Sequence, residues 1–373
     1  MSAYFKSAFI LGLLLYSTAL SHAAIEYTVT DLGTLGGTSS HAYGINNNGQ
    51  VVGCAMISGD TYGHAFLYGN STMGDLVSLD GIFSKAININ DNDQITGESS
   101  VDNNVHAFLY SNSTLTDLGA LGGSYSSAKD INASGHVAGV AGTNTDENHA
   151  FLYNGFTMQD IGTLGGTWSC ACGINDYDQI VGGSYPTGDA DGHAFIYSDS
   201  TMTDIGTLGG PWSLAHDINN NGQTVGAASV ISGEIHAFLF DGTKMTDLGT
   251  LGGIGSEAFG INASGQIVGH SFTSDSATHA FIYKDSMMYD LNDLIDPSSG
   301  WNISRVDDIN DLGQIVGIGM NRHGQIRACL LTPIPEPSLL LYIYTSLICI
   351  YGYIYFRNKY FFNCTVKSFS AGR

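Results

Sequence analysis

Positive charge is what this chain has least of. Only 12 of its 373 residues are Lys or Arg, against 34 Asp and Glu, leaving a formal net charge of −22. Nucleic acid and anionic membrane surfaces would repel such a chain, so both drop out as partners. Proline is scarce, with 6 residues, and charged residues of every kind make up 12%. The 6 cysteines suggest no disulfide framework. Cys349 lies in an apolar run and Cys364 in the tail, while Cys170 and Cys172 would point the same way from one strand. Nothing in the spacing pairs Cys54 with Cys329, and a chain of this length can bury enough core without bridges. Short catalytic signatures are missing too. There is no Gly-x-Ser-x-Gly elbow, no HExxH and no phosphate loop opening a helix. Neither a cofactor nor a metal is expected.

What is abundant is glycine (49), with 20 Tyr and 17 Phe. That balance favours many short strands joined by tight turns, and the aromatics argue against disorder. One sentence of sequence recurs seven times with a period of ~43 residues, a length that suits four-stranded propeller blades or helical pairs. Its first word, Asp-Leu or Asp-Ile, begins at Asp31, Asp75, Asp117, Asp160, Asp204, Asp247 and Asp290. The second, Ile-Asn, begins at Ile45, Ile89, Ile131, Ile174, Ile218, Ile261 and Ile309. The last is His-Ala-Phe, from His64, His106, His149, His193, His236 and His279, with Arg327-Ala328-Cys329 in the seventh place.

Interior glycines and Asn-Gly, Ser-Gly or Asp-Gly turns exclude the helical pairs. Four strands per copy fit, and "HAFLY", apolar on both faces, reads as a strand sandwiched between neighbours. The repeats open with a fourth strand, "EYTVTDLGT", and close on a third, "IRACLLTP". Joining these halves would close a ring without free edges. The expected fold is therefore all-β: a seven-bladed β-propeller of four-stranded blades over residues 24–332, closed by the N-terminal strand. The repeat resembles the bacterial extracellular HAF-repeat family. That resemblance implies export and a repeat fold, and brings no established catalytic residue or substrate.

The ends read differently. An apolar stretch from Ala8 to Leu20, followed by Ser21-His22-Ala23, predicts a signal peptide over 1–23 cut by signal peptidase between Ala23 and Ala24. At the other end, 333–373, the uncharged run 339–356 is close to the ~20 residues that span a bilayer, so a transmembrane helix is expected there. Arg357 and Lys359 after it predict a cytoplasmic C-terminus. Pro335, Glu336 and Pro337 before it complete a pattern similar to the PEP-CTERM sorting signal. This resemblance implies export, retention at the membrane and processing by an exosortase. The chain continues past Lys359 to Arg373, where that family usually stops at an Arg cluster.

Candidate functional residues fall into two sets. Each of the six histidines precedes an Asp by the same spacing, pairing His64 with Asp75, His106 with Asp117, His149 with Asp160, His193 with Asp204, His236 with Asp247 and His279 with Asp290. A fixed spacing across a strand–turn–strand predicts structural hydrogen bonds inside each blade, and Arg327 is expected to face Asp31 across the closure. Turns such as "NINDNDQITGE" read as hairpins more readily than as calcium loops. The second set is aromatic. Phe83, Tyr125, Trp168 and Trp212 stand before the same serine in four copies, and Trp301 lies in the longer seventh connection. Near a loop-rich face whose connections vary in length, such rings could stack on sugars, although packing between blades is the favoured reading. Asp189 and Asp191, in the loop "PTGDADG", are the least repetitive pair of acids. The expected function is a non-enzymatic binding or matrix protein at the cell envelope, with an extracellular polysaccharide or surface protein as ligand. The rival is an extracellular carbohydrate-active enzyme, a glycosidase or lyase.

Overall fold

The computed structural model describes residues 26–335, apart from residues 77 and 190. In the first repeat the strands Gly36–Ile45, Val51–Ile57, Gly63–Gly69 and Thr72–Asp75 pair in order, each antiparallel to the next. The other copies follow this plan. The sheet of the last copy is completed from the far end of the chain: Tyr27–Asp31 pairs antiparallel with Ile326–Pro333, from Tyr27 opposite Pro333 to Asp31 opposite Cys329.

The expectation of seven separate four-stranded sheets with a membrane helix needs correction. The strands group into four four-stranded sheets and one of 12 strands. The large sheet arises where Tyr125 pairs with Val105, and Trp168 with Asn148, as single parallel bridges between consecutive copies. At those two seams the backbones come close enough for the ladder to cross from one copy to the next. Among the described residues no helix is long and apolar enough to cross a membrane. The segment 339–356, the cleavage point at Ala23 and Ala24, and Glu336 and Pro337 lie outside the described residues, whereas Pro335 is the last one inside.

The core lies between copies. Phe66, Phe108, Phe151, Phe195, Phe238 and Phe281, the last letter of each His-Ala-Phe word, are fully buried. Each stabilises the fold by about 1.5–3 kcal/mol through removal of its ring from water. The Phe66 ring lies on Gly53, where a Cβ would fall 2.1 Å from the His41 carbonyl oxygen and 2.7 Å from the ring. That approach is open only to glycine. The alanine of the same word is stitched to the next copy: Ala65 N–H donates to Ser84 Oγ at 2.9 Å, and Ala150 to Ser169 at 2.8 Å. Ala328, in the last copy, donates to Ser40 in the first at 2.9 Å.

The Ile-Asn words complete the circle. Asn46 Nδ2 donates to the Asn90 carbonyl at 3.2 Å, Asn90 to Asn132 at 2.9 Å, and Asn132 to Asn175 at 3.1 Å. Asn175 continues to Asn219 at 3.2 Å, Asn219 to Asn262 at 3.0 Å, and Asn262 to Asn310 at 3.2 Å. Asn310 returns to Asn46 at 3.0 Å. Each Oδ1 meanwhile caps its own hairpin, as Asn46 does for the N–H groups of Asn48 and Gln50. A head-to-tail ring of backbone-anchored amides requires the sheets to stand round a common axis. The scaffold is a β-propeller.

Candidate functional site

The His–Asp pairs sit on the third and fourth strands of each copy. Nδ1 lies 3.0 Å from the carboxylate in His64–Asp75 and His106–Asp117, and 2.7 Å in His149–Asp160 and His193–Asp204. The distance is 2.9 Å in His236–Asp247 and 2.6 Å in His279–Asp290. Asp117, Asp160, Asp204, Asp247 and Asp290 also cap the turn that follows, as Asp117 accepts the Gly119 N–H at 2.7 Å. These are polar clasps within one sheet, each remote in pairing order from the innermost strand. The seventh place departs from expectation. Arg327 does not meet Asp31; its guanidinium donates to the Thr38 carbonyl of the first copy. Asp31 accepts instead from Asn321 Nδ2 at 3.1 Å and from the Gly33 N–H at 2.9 Å. The Arg side chain is long enough to pass the carboxylate and bond across the seam.

The Asn- and Asp-rich turns spend their oxygens on neighbouring turns. Asp91 accepts from the Asn47 N–H at 2.8 Å and from its side-chain amide at 3.0 Å.

The aromatic series follows the seams. Phe83, Trp168, Trp212 and Trp301 are half-buried, and Tyr125 is 37% exposed. Trp168 lies 5.2 Å from Tyr185 in a tilted pair, and Trp301 packs against a core cluster. Trp212 differs in lining an open cavity of about 400 Å³ with Tyr185, Gly192, Asp189 and Asp191. Trp212 and the two acids singled out in the sequence thus meet in one pocket between the fourth and fifth copies, with Tyr185, which the sequence did not single out. Asp189 is anchored there, accepting from the Thr167 N–H at 2.7 Å and its hydroxyl at 3.1 Å.

Sequence reasoning overlooked the central channel, about 330 Å³. Of the chain's 12 Lys and Arg, Lys85, Lys129 and Arg305 line it. Lys85 Nζ stands 4.1 Å from the centre of the Tyr43 ring, and Arg305 Cζ stands 3.8 Å from that of Phe259. Arg305 also pairs with Asp307 at 2.7 Å, which His41 contacts at 2.7 Å, and His216 meets Glu257 at 2.8 Å. Burial opposes the charge of Asp307 and Glu257, yet their histidine partners hold both carboxyls below the usual range. Burial pushes the Lys85 ammonium down. The signal that could have revealed this lining is variation: Tyr43, Ile87, Lys129, Cys172, His216, Phe259 and Asp307 occupy one repeat position with no common chemistry, and all seven line the channel. A position free to vary in an otherwise strict repeat faces open space.

Deeper in the channel, Asp130, Asp217 and Asp308 are buried beneath these charges. Each carboxylate bridges two copies. Asp130 accepts from Ile131 of its own copy and Ile174 of the next, both at 2.7 Å. Asp217 does the same with Ile218 and Ile261, at 2.7 and 2.8 Å. Asp308 bridges Ile309 and Ile45 at 2.7 and 2.8 Å. The copies reached carry Gly173, Gly260 and Gly44 at the matching position, and a Cβ on Gly44 would fall 2.9 Å from Asn88 Cα. Asn88, in the remaining copy, donates to Asp130 at 2.6 Å. Burial pushes the three carboxyls up, to about 7 for Asp130, about 6 for Asp217 and about 8 for Asp308. Proximity to Asp217 raises Asp130 and Asp308 further. The channel's ionisable groups are largely engaged with one another or with the backbone.

No family model matches the chain. No curated protein matches it either. Among solved structures, TolB from Acinetobacter baumannii is 11% identical with a TM-score of 0.44, over 76% of this chain and 63% of TolB. The chain therefore spans less than two thirds of that protein's length. The β-propeller domain of the Trilobed protease from Pyrococcus furiosus is 10% identical with a TM-score of 0.49, covering 68% of this chain and 84% of that one. A fucoside complex of an Aleuria aurantia lectin mutant is 9% identical with a TM-score of 0.38, covering 71% and 93%. All three TM-scores fall below 0.5.

Proposed function

We propose that this is an exported, non-enzymatic binding protein whose loop-rich face takes a carbohydrate, with Trp212 and Tyr185 as the stacking rings and Asp191 as a hydroxyl acceptor. The supporting observation is the pocket that joins these side chains on one seam of a rigid scaffold. Flat aromatic faces bury the apolar C–H faces of sugar rings, while carboxylates accept from their hydroxyls. The resemblance of the repeat and of the C-terminal motif to exported families supports an extracellular polysaccharide as ligand. It also supports signal peptidase and an exosortase as processing partners.

The same pocket gives the enzymatic reading its best footing, since glycoside hydrolysis needs two carboxylates on opposite sides of one bond. Asp189, however, spends Oδ1 on the Thr167 backbone and hydroxyl, which suits a loop anchor. The test is a glycan array on the secreted protein followed by titration of any binder. Trp212→Ala should weaken binding about tenfold, the loss of roughly 1.4 kcal/mol of stacking, with the melting temperature within a few degrees. Reducing ends accumulating in incubated polysaccharide would overturn the proposal.

A further inference from the structure

Although cations are scarce in this chain, three of its 12 Lys and Arg side chains line the central channel. Arg305 is neutralised there by Asp307 at 2.7 Å. Lys284, elsewhere in the fold, is likewise matched by Glu26. Lys85 and Lys129 are not matched. Both are half-buried, both line the channel, and neither ion-pairs or hydrogen-bonds with any described residue. Lys85 has only the face of the Tyr43 ring, 4.1 Å from its Nζ. Lys129 stands in the next copy, close enough for its charge to act on Lys85. Two like charges held together and partly out of water are costly unless an anion joins them.

The surrounding charges set the valence of that anion. Glu98 faces Lys85 across the strand pair and acts on both lysines from beyond ion-pair reach. Asp307 is committed to Arg305 and His41, and Glu257 to His216. Deeper in the channel Asp130, Asp217 and Asp308, pushed up by burial to about 7, about 6 and about 8, are mostly protonated at pH 5.5. Two ammonium groups against one carboxylate leave a single positive charge. Burial opposes the charge of both lysines, but the Cys170 thiol and the Glu98 carboxylate hold Lys129 above its ordinary value, so it stays cationic. The rest of the wall is not ionic. Ile87, Cys172 and Phe259 line the same cavity, which at about 330 Å³ is at the small end of ligand sites.

We propose that the channel binds a small organic monocarboxylate, its charged end between Lys85 and Lys129 and its apolar end against the walls of Ile87, Cys172 and Phe259. Lysine suits this task, because its ammonium is a point charge on a flexible stem and meets a carboxylate without the fixed fork that arginine imposes. An inorganic anion satisfies the lysines and leaves the apolar wall uncovered; a neutral molecule does the reverse.

The experiment is calorimetric titration of the full chain, at pH 5.5 and low chloride, with benzoate, benzamide and acetate. Benzoate should bind about tenfold more tightly than benzamide, which lacks only the charge, and about tenfold more tightly than acetate, which lacks only the ring. Lys85→Gln and Lys129→Gln remove one ammonium each. Each should cut the preference for benzoate over benzamide to about threefold or less, and the double variant should abolish it. Neither lysine has a hydrogen bond to lose among the described residues, so the melting temperature of each variant should stay within a few degrees of the parent. Lys244→Gln, at an exposed lysine outside the channel, should leave all three affinities unchanged. Equal affinity for benzoate and benzamide, a preference that survives in the double variant, or acetate binding as tightly as benzoate would overturn the proposal.

Discussion

Lowering the pH from 8 to 5 should stabilise this protein, although acid weakens most folds. The cause is the set of buried carboxyls at Asp130, Asp217 and Asp308, raised by burial to about 7, about 6 and about 8. A carboxyl whose folded pKa lies above its unfolded value binds its proton more readily in the native state. Its stabilisation is complete below the unfolded value of about 4 and is lost as the pH rises through the folded value. For Asp130 alone, a folded value of about 7 against about 4 unfolded amounts to roughly 2.6 kcal/mol between pH 8 and pH 5. At the size of this chain that is a rise in melting temperature of about 4 °C. Asp217 and Asp308 act in the same direction, but proximity couples the sites, so their shares do not simply add. His270 opposes them: burial lowers its pKa, and it costs stability as the pH falls through the unfolded value near 6.5. The carboxyls of Asp307 and Glu257, held low by histidine partners, cost stability only below about pH 4. Calorimetric melting at constant ionic strength, sampled every half unit from pH 5 to 8, checks the reasoning. The gain should set in near pH 8 and steepen towards pH 5, above the range in which ordinary carboxylates titrate. A melting temperature that is flat or falling across that window would refute it.

Two further perturbations separate scaffold from site. Asn175→Ala removes the donor to the Asn219 carbonyl and the cap of its own hairpin, and should destabilise by about 2–3 kcal/mol in urea unfolding. His193→Ala leaves Asp204 without its side-chain partner and should cost about 1 kcal/mol, read as a lower melting temperature with any carbohydrate affinity unchanged.

The unequal legibility of the sequence has physical causes. The spacing of His64 and Asp75 could be read because both sit on neighbouring strands of one hairpin, where separation along the chain dictates separation in space. Arg327 could not be placed that way. Its carbonyl partner belongs to Thr38, and which backbone oxygen a long side chain reaches across a seam is a matter of packing. The Ile-Asn word is legible as a turn, since Asn caps a hairpin locally, but the other half of its role appears only once Asn310 finds Asn46. A cavity beside Gly255 has only a faint mark in the sequence, a small residue where four other copies carry a ring. What the sequence does not show is that the Ile235 carbonyl of the neighbouring copy closes on Gly255, 2.8 Å from where a Cβ would stand.

The pattern of buried acids carries a consequence of parity. Around the axis, the carboxylates at Asp130, Asp217 and Asp308 alternate with Gly173, Gly260 and Gly44, as two colours of tile alternate round a border. Two colours cannot close an odd border, and the mismatch falls on Asn88, whose neutral amide is the tile that tolerates Asp130 beside it. The copies are therefore not interchangeable. Grafting the innermost strand of the fifth copy into the second would set one carboxylate against another, and seven identical modules could not reproduce this axis.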